Sequence, residues 1–444
     1  TYNKEPIRET SIIITKELLL LLLLLFKKKN TMSAISENAN YTGTLLGMGN
    51  PLMDVSANVG QDMFDKYGLK AGDAVLQEEK QAGITEDLMN NFSPDLIPGG
   101  STLNAIRVCN WMLGSNMATG FTGCVGTDSY GETMEKLALS EGVNVNFLKT
   151  AEQPTGTCAT FIKDAERSLC TNLAAANLFK NDHLQTEGMK KLISEANYYY
   201  IAGFFLTVDV ASMEQIAKHS SENDKVFMMN LSAPFLVDFF ATQMNTILPY
   251  VDILFGNEVE AASFAKKQGW GEISTSECAK RAARLPKASG SRPRIVVFTQ
   301  GKDATCVAMN GEVTTYDVEL LPKDKLVDTN GAGDAFVGGF LSQLVQGKDM
   351  KTCVLAGHYS ARVIIQASGC TLPKTRPQMK IFIDGLLAVC EGQALDKEYE
   401  SKSIISIDEY IKMIDLKTGH ILGLSAELGA VSSGANDEDR KSVV

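Results

Sequence analysis

At 444 residues, 44% hydrophobic and 21% charged, the chain is long enough for one large core with additions and too apolar to be disordered. A net charge of −11 argues against nucleic-acid or anionic-membrane surfaces, which need clustered Lys and Arg, so neither is expected as a partner. The nine cysteines include no C-x-x-C pair and the four histidines are scattered. This excludes a Cys/His zinc cluster, reads as the reduced thiols of a cytoplasmic protein, and leaves any metal to oxygen ligands.

The chain starts at Thr1 and its first methionine is Met32. Between them a leucine run, residues 18–25, leads into Phe26 and Lys27-Lys28-Lys29. The run is too short to span a bilayer, and its lysines follow the apolar stretch where a signal peptide would have them precede it. Residues 1–31 are therefore expected to be upstream sequence read through in translation, the alternative being a disordered or membrane-touching leader.

From residue 43 to 377 short apolar runs alternate with amphipathic stretches. Residues 44–48, 198–202, 226–230, 253–255 and 295–299 read as buried strands, and 314–321 as a further strand. Residues 212–221, 258–267 and 275–285 read as helices. Strand, crossover helix, strand is the pattern of a parallel sheet covered on both faces, with ligands beyond the carboxyl ends of its strands. The breaker-rich Pro373-Lys-Thr-Arg-Pro377 ends this pattern. Residues 381–430 then read as helical, with one apolar stripe at Phe382, Leu386, Leu387 and Cys390 and another at Tyr410, Met413, Ile414 and Leu416. Residues 432–444 read as a loose tail.

Three segments carry chemistry. In Pro98-Gly-Gly-Ser-Thr-Leu-Asn104, the pair Gly99 and Gly100 lets a ring lie against bare backbone, and Asn104 beyond Ser101 offers both donor and acceptor to hydroxyls. Asn257-Glu-Val-Glu260 is an acidic helix start, which the helix dipole alone would favour. Asp328-Thr-Asn-Gly-Ala-Gly-Asp334 turns into a helix. With Gly331 and Gly333 lacking Cβ, amides near Ala332 can face an anion, and Asp334 can take a proton from an attacking hydroxyl. Ala335, Gly338 and Gly339 would let that helix pack closely.

The first and third segments, in this order and over 200 residues apart, resemble the two signatures of the ribokinase-like carbohydrate and nucleoside kinases, which lack a Walker loop; no G-x-x-x-x-G-K-[ST] occurs here. The resemblance covers residues 43–377 and implies an α/β fold, a three-layer sandwich with a mostly parallel central sheet and a small β-sheet lid built from about 52–60, 74–78 and 156–173. Leu46-Gly-Met-Gly-Asn-Pro-Leu-Met-Asp54 is similar to the opening of the adenosine-phosphorylating members, as are residues 153–158, 167–177, 200–206 and 230–235. Ala74 and Thr171 depart from residues usual there, leaving selectivity among purine nucleosides open.

The resemblance implies ATP-dependent phosphorylation of the adenosine 5′-hydroxyl, giving AMP and ADP. It puts Asn50 near the base, Asp54 on the ribose hydroxyls, and Leu52, Cys158, Leu169, Phe205 and Phe235 around the purine. On the ATP side it implies Mg²⁺ held by Glu260 through water beside Asn257, a nucleotide turn at Thr299 and Gly301, and Asn330 and His358 as neighbours. Arg167, from the lid, would neutralise phosphate charge. A monomer is expected, cytoplasmic with the nucleus as a second compartment. Residues 381–430 resemble a stretch of trans-isoprenyl diphosphate synthases, in which Lys417-Thr418 would touch a diphosphate. No D-D-x-x-D motif accompanies it, so residues 378–444 are expected to be a fused or misassembled frame, or else an added helical hairpin.

Overall fold

The computed structural model describes residues 43–373 except 73, 115–116, 164–165 and 289–291, and beyond them 392, 395–396, 399, 406–419 and 423. The predicted leader, the stripe at 382–390 and the tail at 432–444 lie outside the described residues.

Nine strands form the central sheet. Its order is Glu312–Tyr316, Asp303–Met309, Ile295–Gln300, Ile253–Asn257, Val226–Asn230, Tyr198–Ala202, Leu45–Met48, Thr119–Thr122 and Asn144–Val145. The last seven are mutually parallel, and the first two add antiparallel at one edge. Successive side chains feed opposite faces: Leu45, Met228 and Phe255 join one core, while Leu46, Phe227, Met229 and Leu254 join the other. Two apolar cores on one sheet make the three layers, helix, sheet and helix. This is the ribokinase-like α/β architecture.

The edge strand is shorter than the sequence suggests. It ends at Tyr316, which lies opposite Thr305 of its antiparallel partner. Asn310 and Gly311, both at positive φ, supply the turn between the two strands.

A second sheet has five strands, in the order Ala74–Leu76, Glu166–Asn172, Thr157–Lys163, Leu52–Asn58 and Asp95–Gly99. The strand Asp95–Gly99 is not among the predicted lid segments, yet it delivers the glycine motif. It runs antiparallel to Leu52–Asn58, with Leu52 opposite Gly99 and Asp54 opposite Ile97.

Both signature segments start helices. Ser101–Leu113 follows Gly100 at φ 105°, and Ala332–Leu344 follows Gly331 in the left-handed region at φ 76°. The helices pack side by side at Gly338, where a Cβ would lie 2.5 Å from the Ala105 carbonyl oxygen and 2.6 Å from the Val108 Cβ. Gly339, on the next face, lies against Ala356 and Ser360 of the helix Met350–Ile364. The small residues noted in the sequence thus let one helix touch two neighbours.

In the C-terminal region Ser406 caps the helix Ile407–Ile414 through a reciprocal bond with Glu409. Of the stripe expected there, only Met413 is buried; Tyr410 and Ile414 are exposed and Leu416 is half-buried. Lys417 forms an ion pair with Asp396 at 2.6 Å.

Gly338→Ala is expected to lower stability by about 1–3 kcal/mol, because the methyl meets backbone that cannot rotate away. That loss exceeds the gain of roughly 0.5–1 kcal/mol from replacing a helical glycine. Urea unfolding of both proteins checks it.

Candidate active site

The two signature helices meet with their N-termini at one carboxylate. Ser101 Oγ donates to Asp334 Oδ1 at 2.7 Å, and Asn104 Nδ2 donates to Asp334 Oδ2 at 3.1 Å. Burial pushes the Asp334 carboxyl up to about 6, while these two donors pull it back by favouring the charged form. The Tyr200 hydroxyl, from the middle of the central strand Tyr198–Ala202, couples to the same carboxylate and lies beside Ser101 and Asn230.

Asp54 lies across from Asp334 on the small sheet. Its carboxylate rests on Gly99, where a Cβ would sit 2.6 Å from Oδ2. Burial first, and the charge of Asp334 second, raise Asp54 to about 7. Gly100 is pressed against the Asn50 carbonyl oxygen, so a side chain there would collide with backbone. Asn50 is buried, with Nδ2 donating to the Phe204 carbonyl at 3.4 Å and Oδ1 without a hydrogen-bond partner.

Of the five apolar residues expected together, Leu52, Cys158 and Leu169 share a small cluster with Ala176 and Leu173. Phe205 does not join them. It is 1% exposed and meets Phe179 edge-on at 5.3 Å, which makes it core. Gly203–Thr207 is a 3-10 turn, so adjacent side chains point apart, and Phe204 is the half-buried one, 6.4 Å from Phe235. Sequence reading named Phe205 and could not separate the two, because the turn is invisible in a run of apolar residues.

The loop before Asp334 is organised by Asp328. This 2% exposed carboxylate accepts from the amides of Asn330 at 2.8 Å and Gly369 at 2.5 Å, and is ion-paired to Arg167. Arg167 also donates to Ser56 and Ser368, both at 3.3 Å. Its charge is therefore committed to the loop carboxylate in this arrangement. The Ala332 amide donates to the Thr329 carbonyl at 3.2 Å, which occupies one expected anion donor. Above Gly333 there is open space: a Cβ would meet nothing within 4 Å.

Glu260 and Asn257 form a capping box, the Asn257 amide nitrogens donating to Glu260 at 3.0 Å and 2.8 Å. Burial nonetheless raises Glu260 to about 7. Thr299 donates to the Gly256 carbonyl at 3.4 Å, and Gly301 makes the turn after that strand at φ 56°. His358 lies behind the helix Ala332–Leu344, against Phe336 and 2.8 Å from the Thr305 hydroxyl; burial lowers it to about 4, so it is neutral.

Arg107 and Glu141 escaped sequence reading. Arg107 is 2% exposed, a charge inside the apolar run of Ser101–Leu113, and it meets Glu141 with two nitrogens, at 2.6 Å and 2.8 Å. A charged residue inside an apolar helical run is the signal that could have found it.

The sequence matches the pfkB family carbohydrate kinase profile over residues 61–376 and the polyprenyl synthetase profile over residues 345–444. It is 47% identical to adenosine kinase 2 of Arabidopsis thaliana over 340 residues, 77% of this chain and 99% of that one. It is 43% identical to adenosine kinase of Dictyostelium discoideum, covering 76% and 98%. Among solved structures, Anopheles gambiae adenosine kinase in complex with P1,P4-di(adenosine-5) tetraphosphate matches with TM-score 0.73 and 43% identity, covering 75% of this chain and 99% of that one. Schistosoma mansoni adenosine kinase in complex with 2-fluoroadenosine matches with TM-score 0.73 and 34% identity, covering 75% and 98%.

The raised Asp54 has a signed consequence. Its proton is held more tightly in the folded state, so its contribution to stability is complete below the unfolded value of 3.8 and is lost as pH rises through about 7. Asp54→Asn is expected to raise the melting temperature of the ligand-free protein at pH 8, with the gain gone near pH 4; thermal melts at both pH values check it.

Proposed function

The chain belongs to the pfkB family of carbohydrate kinases and phosphorylates adenosine to AMP; on that premise we propose which of its residues carry out the transfer. ATP is the donor and the ribose 5′-hydroxyl the acceptor. One observation carries the reading: Ser101 and Asn104 of the first signature converge on Asp334 of the second. A carboxylate at a helix start, raised by burial and pulled back towards its charged form by two donors, is suited to take the hydroxyl proton.

Asp54 grips the ribose hydroxyls, its carboxylate lying over Gly99, where the missing Cβ leaves room for it. Asn50, whose Oδ1 lacks a partner, faces the base. Leu52, Cys158 and Leu169 on one side and the Phe204–Phe235 pair on the other supply apolar surface for a flat ring. The Gly333 amide, in a residue with open space at its Cβ position, receives transferring phosphoryl charge, and Gly331 gives the loop its turn. Thr299, Gly301, Asn330 and His358 belong to the ATP side.

Mg²⁺ fits this donor set. Glu260 is a buried carboxylate raised by burial, in no ion pair among the described residues, and a nearby cation would relieve that cost. Glu260, steadied by Asn257, would hold the ion through water, and the ion would neutralise phosphate charge. The small sheet acts as a lid that keeps water from the phosphoryl group. Arg167 reaches phosphate only by leaving Asp328, so its role there requires lid movement. Most of the acceleration comes from positioning, because phosphoryl transfer has a loose transition state.

The eight described cysteines are free, which supports a reducing, cytoplasmic setting; a nuclear pool, a monomeric state and a role in purine salvage rest on the family resemblance alone. The polyprenyl synthetase match covers residues 345–444, and this chain carries no D-D-x-x-D motif, so no prenyl transfer is proposed.

Asp334→Asn is expected to keep adenosine binding and lower kcat by at least ~100-fold, the scale of losing a general base. Near-normal turnover would sink the assignment. A coupled assay over adenosine, inosine, guanosine, ribose and fructose should favour adenosine, and preference for a free sugar would overturn the acceptor.

A further inference from the structure

We propose that Arg107, braced by Glu141, is a positioning residue for phosphoryl transfer: it dictates which end of the Asn104 amide meets Asp334. The inference rests on Asp334 being the base. Arg107 Nε and Nη2 are taken by Glu141, at 2.6 Å and 2.8 Å. Nη1 is left to face three oxygens: the Pro98 carbonyl at 3.2 Å, the Cys370 carbonyl at 3.3 Å and Asn104 Oδ1 at 3.4 Å.

A guanidinium has donors and no acceptor. Asn104 must therefore turn its oxygen to Arg107, which leaves Nδ2 for Asp334 Oδ2 at 3.1 Å. The reversed amide would set donor against donor at Arg107 and oxygen against carboxylate at Asp334. Arg107 thus keeps Asn104 donating, and a donating Asn104 favours the ionised base. The same nitrogen joins the strand that carries Gly99, through Pro98, to the turn that backs Gly331, through Cys370, whose Cβ is 3.3 Å from where a Gly331 Cβ would lie.

Other groups also act on Asp334. Asp54 from the small sheet, Tyr200 from the central sheet, Glu260 from the helix Glu258–Lys267 and Cys370 from the backing turn all couple to it. Arg107 acts through its charge on Asp54 and Cys370 as well, so the variant whose pH profile reports the Arg107–Asn104 link is Arg107→Lys, which keeps that charge.

A buried pair such as Arg107–Glu141 also holds the fold, and removing one partner leaves an uncompensated charge. The test therefore uses the full chain with Arg107→Lys, Arg107→Met and Glu141→Gln, following kcat, KM and melting temperature from about pH 5 to 9. Arg107→Lys keeps the charge and loses the planar fork. It is expected to lower kcat by about 10- to 100-fold, the scale of a misplaced reacting group, with KM for ATP unchanged and the acid limb of kcat moved to higher pH. Glu141→Gln should shift the limb the same way by less. A lower melting temperature with wild-type kcat and acid limb in Arg107→Lys overturns the proposal. If Arg107→Met does not fold, the other two variants decide alone. Asp334→Asn separates the two readings: a normal Asp334→Asn removes the base itself, whereas an inactive Asp334→Asn beside a normal Arg107→Lys removes only the positioning role.

Discussion

A carboxylate proposed to accept a proton inside a buried site faces a conflict, because burial also favours the protonated acid. Asp334 settles it with two directed donors, Ser101 and Asn104, opposing the burial that lifts it to about 6. Those donors arrive from a different helix, so the balance holds only while two helices stay in register. Gly338 permits that register by letting the backbones nearly touch. Catalytic electrostatics in this chain therefore depend on interhelical distance.

The two sheets divide the remaining work. The parallel sheet ends at one level, so the segments after Met48, Ala202, Asn230 and Asn257 gather at one rim. The small sheet carries Asp54, Gly99 and the apolar patch of Leu52, Cys158 and Leu169. Asp54 is costly to the ligand-free fold and, in the proposed role, useful to a ribose, the stability trade-off expected of a binding group.

Local information was legible in the sequence, and information about partners was not. Parallel strands announce themselves as apolar runs, and the strands Tyr198–Ala202 and Val226–Asn230 have the bounds their runs suggest. The glycine-rich turns and Asp334 were readable because close backbone approach restricts residue type. Phe204 and Phe205 could not be told apart, since a single turn decides which ring faces inward. The strand Asp95–Gly99 was hidden by its proline and charge. Arg107 escaped, and Asp328 was read only as part of its motif, because their roles lie in partners 34 and 41 positions away, at Glu141 and Gly369, which no local pattern encodes.

The tie between Arg167 and Asp328 crosses from the small sheet to the loop ahead of Asp334, with side chains only 6% and 1% exposed. Dissolved ions weaken charge pairs through the solvent between them, and here there is almost none. A surface pair such as Lys136–Glu132, 78% and 68% exposed, fades as ionic strength rises. The inner tie does not. Whatever salt does to the encounter of this enzyme with its anionic nucleotide, the joint between sheet and loop is insulated from it, so substrate capture and internal geometry answer to different properties of the medium.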